Sequence, residues 1–582
     1  MIESRKKIKE NASSVSGIKT VVSGSEALIL SLLAEEVDTI FGYPGGAIMP
    51  VYDALFNYSD QINHYLVRHE QGAVHAAQGY ARVTGKPGIV FATSGPGATN
   101  LITGIADAMI DSTPLVCITG QVASHLLGTD AFQEIDVMNI TAPITKWSAQ
   151  VTHAADIAKT IAKAFYIARS GRPGPVVIDL TKDAQFAKVE FEYEHCTSVR
   201  TYHPVPEVNI AKIEDAALLI NAAKKPFILA GQGVLLSDAS RELLDFAEKG
   251  DIPVASTLLG LSAIPTDHPL YVGYLGMHGN YAPNINTNEC DLLIAVGMRF
   301  DDRVTGDVSR YAKQARIIHI DIDQAEIDKI IKSDVGIHAD AKEALRLLTQ
   351  QIHPADHTGW LQTFRNYHKE EYEKIICADC ENGTDEIKMA EVIHLLSKMT
   401  KGESVIVTDV GQHQMIASRY YQFKHPRSNV SSGGAGTMGF ALPAAMGAKT
   451  GCKDRAVIAI IGDGGFQMTL QELGTISQYN IPVKIIVLNN EFLGMVRQWQ
   501  QLFFEKRYSF TEMINPDFIK ISAAYDIPAR RVTERSELYP ALEELLNHNG
   551  PCFLEVKVEK EDNVFPMVPT GASVSEILLG PK

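Results

Sequence analysis

Val457-Ile-Ala-Ile-Ile-Gly-Asp-Gly-Gly465 and, one run further along, Ile485-Ile-Val-Leu-Asn-Asn490 are the stretches from which the fold can be read. Each is a short apolar run that ends abruptly in small or polar residues. Runs of this kind between longer helical patterns predict strands of a parallel sheet covered on both faces. In a doubly wound sheet, ligands collect at the carboxyl ends of the strands. Glycines there let the backbone approach a phosphate closely. A helix expected to start near Met468 presents free amides to the same anion. Asp463 offers a carboxylate, Asn490 an amide oxygen and Phe492 a main-chain carbonyl, the hard donors that magnesium takes. Gly-Asp-Gly alone fits an ordinary strand-to-helix turn. Followed by Asn-Asn at the end of the next strand, it predicts a site for a diphosphate and a divalent cation.

Working outward, the same logic recurs in the first third of the chain. Ser23 and Glu26 have capping-box spacing before a helix over Ala27–Glu36, and buried strands are expected at Ile89–Ala92, Leu115–Ile118 and Val176–Leu180. The strand-then-glycine turn Ile89–Gly97 is the counterpart of Val457–Gly465. A middle block has strands at Phe227–Ala230, Asp291–Val296 and Arg316–Ile320, and the last third adds a helix over Ile387–Leu396 and strands at Val405–Val407 and Phe553–Val558. The expectation is an α/β protein of three doubly wound parallel-sheet domains, the first and third alike. Their bounds are read as 18–187, 208–352 and 386–560, with a disordered tail at 1–17, linkers at 188–207 and 353–385, and a C-terminal lid or tail at 561–582.

Composition narrows the function. The net charge of −16, with 53 basic and 69 acidic residues, argues against nucleic acid as the main partner. No apolar run reaches the length of a membrane span, and Met1–Gly17 has no apolar signal core. Seven scattered cysteines point to a reducing, cytoplasmic compartment, and Cys377-x-x-Cys380 has no second pair for zinc.

The spacing of Gly-Asp-Gly-Gly and Asn-Asn resembles the signature of thiamine-diphosphate enzymes. The resemblance implies that Asp463, Asn490 and the Phe492 carbonyl hold Mg2+. It implies cofactor contacts at Gly462, Gly464, Gly465, Met495 and Pro44-Gly45, at Val410-Gly411-Gln412-His413, and at Gly436 and Met438, the last holding the cofactor bent. Such a cofactor needs a carboxylate on its pyrimidine ring to become its own base. His69-Glu70-Gln71-Gly72 precedes a small-residue helix, Ala73–Tyr80. On local pattern Glu70 is a helix-terminal acid favoured by the dipole; beside the diphosphate signature it becomes the activating acid. In these families the facing diphosphate domain generally belongs to another subunit, which implies a homodimer or tetramer.

From Ile18 to Ala572 the chain is similar to acetohydroxyacid synthase (acetolactate synthase) large catalytic subunits. The matching stretches are Gly42-Tyr-Pro-Gly-Gly-Ala47, Thr93-Ser-Gly-Pro-Gly-Ala-Thr-Asn100, Gly128-Thr-Asp-Ala-Phe-Gln-Glu134, Gly171-Arg-Pro-Gly-Pro-Val176, Gly276-Met-His-Gly279, Arg299-Phe-Asp-Asp-Arg-Val-Thr-Gly306 and Leu493-Gly-Met-Val-Arg-Gln-Trp-Gln500. The middle block reads as a nucleotide binder: Gly231-Gln-Gly233 follows a strand, and Asp321 follows another where an acid accepts a ribose hydroxyl. The third glycine of a dinucleotide fingerprint is missing. The resemblance implies FAD here, held without net redox, with contacts at Arg172, Gly231, Gly233, Thr257, Leu258, Met277, His278, Gly297, Arg299, Asp301, Arg303, Asp321, Ile322 and Asp340. It further implies decarboxylation of pyruvate and transfer of the two-carbon unit to pyruvate or 2-ketobutyrate, the first common step of branched-chain amino-acid biosynthesis. Arg303 is the expected carboxylate grip, Trp499 the apolar wall, and Gln133, Phe132 and Lys182 further pocket residues. Large subunits of this family commonly take a small regulatory subunit. The competing readings are another enzyme of the fold, such as a pyruvate oxidase, and a noncatalytic cofactor-binding regulatory homologue. The tail Asn563–Ala572, apolar and proline-bearing, is expected to fold over the active site.

Overall fold

A computed structural model describes residues 20–380 and 386–580. The expected tail at 1–17 and the end of the expected second linker, 381–385, lie outside the described residues. Three six-stranded sheets carry the fold, and every neighbouring pair within them is parallel.

The first sheet takes its strands, in chain order, from Thr39–Gly42, Asn63–Leu66, Gly88–Ala92, Leu115–Gln121, Trp147–Val151 and Pro175–Thr181. The third takes them from Val405–Thr408, Asn429–Ser431, Val457–Gly462, Lys484–Asn489, Ala529–Val532 and Cys552–Lys557. Numbered from one to six, both sheets read 2-1-3-4-6-5, so the expected likeness of first and third domains is one of topology. The middle sheet, from Pro226–Ala230, Val254–Ser256, Tyr271–Tyr274, Leu292–Val296, Arg316–Asp321 and Val335–His338, reads 3-2-1-4-5-6. That is the dinucleotide-fold order. In each sheet the strand order reverses beside the first strand, and a crevice opens there at the carboxyl edge.

The first and third domains share one core. Helix Glu70–Thr84 of the first crosses helix Ala441–Gly451 of the third. A Cβ on Gly79 would lie 1.9 Å from the Ala444 carbonyl oxygen, and one on Gly447 would lie 1.8 Å from that of Ala76. The two backbones touch through glycine faces, and Ala73, Ala76, Ala77, Ala444, Ala445 and Ala448 are fully buried around the crossing.

Both expected linkers contain structure. Lys188–Phe191 is a strand paired antiparallel with Thr20–Ser23. The second stretch holds a helix, Thr358–Glu371, whose Trp360, Leu361 and Phe364 enter the middle-domain core; Trp360 Nε1 donates to the Pro226 carbonyl at 2.9 Å. The many polar residues of this stretch occupy the outer face of the helix, which is why it reads as a linker.

Gly→Ala inside an exposed helix stabilises by about 1 kcal/mol. At the crossing the sign reverses: Gly79→Ala is expected to cost about 1–3 kcal/mol through overpacking, seen as a lowered Tm in thermal unfolding.

Candidate functional site

The third-domain crevice is built from the loops after its first, third and fourth strands. Asp463 opens helix Asp463–Thr469 directly after strand Val457–Gly462, five residues before the expected start near Met468. Its carboxyl is buried, which pushes it up to about 6, against the opposing hydrogen bond from Asn515 Nδ2 at 2.6 Å. The same Asn515 amide reaches Asn489 Oδ1 at 3.1 Å, so it ties the Gly-Asp-Gly turn to the Asn-Asn turn. Asn490 sets its Nδ2 3.3 Å from Gln412 Oε1, while its Oδ1 accepts from the Phe492 amide at 3.3 Å. Glu491 between them has φ +58, the left-handed turn that reverses the chain there.

The glycines of this motif serve protein contacts. A Cβ on Gly462 would meet the His413 ring at 2.8 Å, one on Gly464 the Leu493 Cδ2 at 2.7 Å, and one on Gly465 the Asp409 carboxylate at 2.4 Å. Each of these positions therefore already needs glycine for a protein neighbour, beside the expected approach of a phosphate. Asp409, unremarked in the sequence, is fully buried and organises the crevice. Its oxygens accept from Val410 N at 2.9 Å, Gly439 N at 3.1 Å and Ala441 N at 3.0 Å, fixing both the Val410–His413 and Gly436–Met438 loops. Buried His413, pushed down to about 3 by burial, leaves Nε2 without a hydrogen-bond partner in the protein. Orphans of that kind are rare; with the neutral ring already bonded to the Asp409 backbone through its other nitrogen, this one is an acceptor. Among the described residues, no group of three or more His, Cys, Asp or Glu side chains could hold a metal ion. A donor set of one carboxylate, one amide and one carbonyl fits a magnesium ion whose other ligands are phosphate and water.

In the middle domain, Gly231 and Gly233 again face protein. Their missing Cβ atoms would lie 2.2 Å from the Gly297 oxygen and 2.6 Å from its Cα. The two switch-point loops thus cross in contact, and Gly231, expected as a ligand contact, lies outside the cavity lining. The other expected middle-domain residues, with Arg172 from the first domain, do line one cavity of about 940 Å³. Three of them are also helix caps: Thr257 accepts from Gly260 N at 3.1 Å, Asp301 from Arg303 N at 3.0 Å, and Asp340 from Lys342 N at 3.0 Å. Arg172 bridges domains, with Nη1 2.9 Å from Glu326 and 3.1 Å from Asp323. Burial pushes Asp321 up to about 6 and His278 down to about 3, and His278 Nδ1 is buried without a partner.

The same cavity continues into the third domain, where Val410, Gly411, Gly436, Met438, Met495 and Trp499 line it. Arg303 and Trp499 therefore line one and the same cavity. The Arg303 side chain is 61% exposed, and its contacts are Met277 Sδ at 3.2 Å and Asp302 at 3.6 Å. An ion pair so exposed is weak, which leaves the guanidinium available to a ligand.

The first-domain residues form a separate group. Glu70 is the first residue of helix Glu70–Thr84, three residues earlier than the expected Ala73, and is 8% exposed. Asn100 Nδ2 donates to its Oε2 at 2.9 Å, and a Cβ on Gly97 would stand 3.3 Å from its Oε1. Gly45 and Gly97 pack against Thr93, and Gly95 against Gln133, itself at φ +60; exposed Pro44 precedes Gly45. Lys182 opens a helix at the end of strand Pro175–Thr181, and Phe132 is 86% exposed. Among the described residues, Glu70, Gln133 and Lys182 do not line the Arg303–Trp499 cavity.

The tail joins two domains. Arg497, fully buried on helix Gly494–Phe503, donates to the Glu561 carbonyl and to Asn563 Oδ1, each at 3.1 Å, and to the Asp562 carbonyl. Gln498 exchanges hydrogen bonds with Val564 at 2.9 and 3.1 Å. Beyond these, Val568 N donates to Met277 O at 2.7 Å and Asp307 N to Ala572 O at 3.0 Å. The tail thus straps the helix carrying Trp499 to the segment carrying Arg303.

Comparison with known proteins agrees with this geometry. The chain matches the N-terminal TPP binding domain of thiamine pyrophosphate enzymes over residues 22–140, their central domain over 213–348 and their C-terminal TPP binding domain over 409–556. The class is thus a three-domain thiamine pyrophosphate enzyme. It is 45% identical over 558 residues to the acetolactate synthase isozyme 2 large subunit of Escherichia coli, covering 96% of this chain and 99% of that one. It is 47% identical over 572 residues to the acetolactate synthase large subunit of Corynebacterium glutamicum, covering 96% and 90%. It is 45% identical over 573 residues to a probable acetolactate synthase large subunit of Methanocaldococcus jannaschii, covering 96% and 95%. The chain belongs to the family of acetolactate synthase large subunits. Among the described residues no helix is long and apolar enough to cross a membrane.

Arg497→Ala leaves the tail carbonyls of Glu561 and Asp562 without their charged donor. Such bonds are worth about 1.5–3 kcal/mol each, so limited proteolysis within 559–580 is expected to speed up by about tenfold or more, read by mass spectrometry against the native protein.

Proposed function

We propose that the chain is an acetolactate synthase: pyruvate loses carbon dioxide, and its two-carbon remainder is joined to a second 2-keto acid. Pyruvate as acceptor gives 2-acetolactate, and 2-ketobutyrate gives 2-aceto-2-hydroxybutyrate. The observation that carries this reading is that Arg303 and Trp499 line one cavity spanning the middle and third domains. A guanidinium grips the acceptor carboxylate in paired hydrogen bonds, and an indole in the same cavity offers apolar surface to the acceptor's alkyl group.

Bound thiamine diphosphate supplies the nucleophilic carbon and the electron sink for decarboxylation. Asp463, the Asn490 amide oxygen and the Phe492 carbonyl would hold Mg2+ against its diphosphate. Glu70, buried and steadied by Asn100, would hold the proton on the pyrimidine ring nitrogen. Gln133, Phe132 and Lys182 would border the site from the same side. Because Glu70 stands apart from the Arg303–Trp499 cavity, a second copy is proposed to bring its own Glu70 to this chain's diphosphate crevice, making the enzyme at least a dimer. FAD is proposed to lie in the middle-domain part of the cavity, where His278 Nδ1 is buried without a partner, as a structural cofactor. The relatives are named large subunits, which suits a smaller regulatory partner for this chain as well. The cytoplasm, a reducing compartment, suits a chain with seven scattered cysteines.

Purified chain supplied with thiamine diphosphate, Mg2+ and FAD is expected to convert pyruvate to acetolactate, detected as acetoin after acid treatment. Oxygen uptake with acetyl phosphate as product would instead assign a pyruvate oxidase. Glu70→Gln is expected to lower kcat by about 10²–10⁴-fold while the cofactor still binds. Trp499→Leu is expected to cut the preference for 2-ketobutyrate over pyruvate severalfold, since one methylene is worth about 0.8 kcal/mol; mixed-substrate product ratios measure it.

A further inference from the structure

The chain that delivers Glu70 is held from the third domain of the same protomer. Leu66 N donates to Tyr479 Oη at 3.0 Å, and Leu66 O accepts from Thr475 Oγ1 at 3.1 Å. The Arg68 guanidinium donates to the Gly474 carbonyl at 3.1 Å and to Gln478 Oε1 at 2.7 Å. Between these anchors stands Glu472, whose residue is 0% exposed. Its Oε1 accepts the amides of Arg68 at 3.0 Å and His69 at 3.1 Å, and its Oε2 accepts from Thr475 Oγ1 at 2.7 Å. A Cβ on Gly72 would stand 2.5 Å from Glu472 Oε1, so the carboxylate also abuts the first turn of the helix that Glu70 opens.

The acceptor thus binds the two amides immediately before Glu70. A buried carboxylate is retained where its hydrogen bonds are all made, and here they are made to the backbone that fixes where Glu70 leaves the strand–helix turn. We propose that Glu472 is a positioning residue for the reaction, holding the Arg68–His69 amides and thereby setting where the Glu70 carboxyl sits. This rests on the reading of Glu70 as the activating acid.

The bonding pattern separates geometry from charge. Thr475 Oγ1 has one hydrogen and two acceptors, Leu66 O and Glu472 Oε2. In Glu472→Gln the amide oxygen keeps both backbone amides, its NH2 donates to Thr475 Oγ1, and the Thr475 hydrogen goes to Leu66 O. The Arg68 amide gives up its second, 3.2 Å contact to Oε2, and both backbone amides stay paired through Oε1. Burial pushes the Glu472 carboxyl up to about 7, so removing its charge removes a desolvation cost that the native protein carries. Glu472→Ala unpairs both amides. Gly72→Ala keeps Glu472 and displaces it.

Two readouts test this. In cofactor-free protein, amide hydrogen exchange of the peptide spanning Val67–Gly72 is expected to quicken by about tenfold or more in Glu472→Ala and Gly72→Ala, and to stay near native in Glu472→Gln. In the holoenzyme, deuterium exchange at the reactive ring carbon of bound thiamine, followed by NMR after acid quench, is expected to slow by about 100-fold in the first two variants. Their kcat should fall in parallel with little change in KM for pyruvate, and Glu472→Gln should retain native rates. Native ring-carbon exchange in both Glu472→Ala and Gly72→Ala would overturn the proposal, as would a Glu472→Gln as slow as Glu472→Ala, which would assign a role to charge. If Glu472→Ala does not fold, Gly72→Ala and Glu472→Gln decide alone. Glu70→Gln is the control: native exchange there overturns the reading of Glu70 itself, whereas slowed exchange there beside native exchange in the two displacing variants overturns only this inference.

Discussion

The backbone-to-backbone contact of helix Glu70–Thr84 with helix Ala441–Gly451 is the constraint on which the molecule depends. It fuses the cores of the first and third domains, so two sheets of identical strand order behave as one body within the protomer. Because the approach is set by Gly79 and Gly447, it leaves little room for sliding, and elements at either end of the crossing inherit its precision. Glu70 stands at one end of the first-domain helix. The Ser432–Met438 loop leads into the other helix, with its Gly433 and Gly434 amides on the buried Asp111 carboxylate at 2.8 and 2.7 Å.

On this fused body the middle domain adds a third crevice, and the site is a meeting of loops at carboxyl edges. The division of labour follows from topology: switch-point loops supply main-chain and polar groups, while the side chains proposed to handle substrate, Arg303 and Trp499, project from short elements that a strap holds together. That strap depends on Arg497, an arginine with no exposure whose charge is met mainly by carbonyls of the tail. The strap adds to a core in which Leu261 and Tyr274 of the middle domain already pack among third-domain residues.

Much of this could be read in the sequence because the decisive patterns are local. The Gly-Asp-Gly and Asn-Asn turns each lie at the end of an apolar run, and Glu70 follows another. What could not be read depends on partners far away in the chain. Asp409 is an ordinary residue until Gly465 and Ala441 close on it; Asn515 gains meaning only between Asp463 and Asn489; Glu472 looks like a helix-surface acid until Arg68 and His69 cover it. The glycines at 231, 233, 462 and 465 were legible as special, but the crossing loops and buried side chains that also forbid a Cβ there were not, because sequence spacing does not reveal such neighbours. The helix at Thr358–Glu371 had a usable signal in Trp360, Leu361 and Phe364, which share one face, masked by polar residues on the other.

The central claim is that Glu70 of one copy serves the diphosphate crevice of another. It is tested most directly by mixing two inactive variants, Glu70→Gln and Asp463→Asn, in one preparation that allows subunit exchange. Sites shared between copies predict that mixed dimers regain one intact site, restoring about a quarter of native acetolactate formation when pairing is random. A mixture shown to contain the mixed dimer yet no more active than either variant alone would place both residues in the same copy's site and contradict the account.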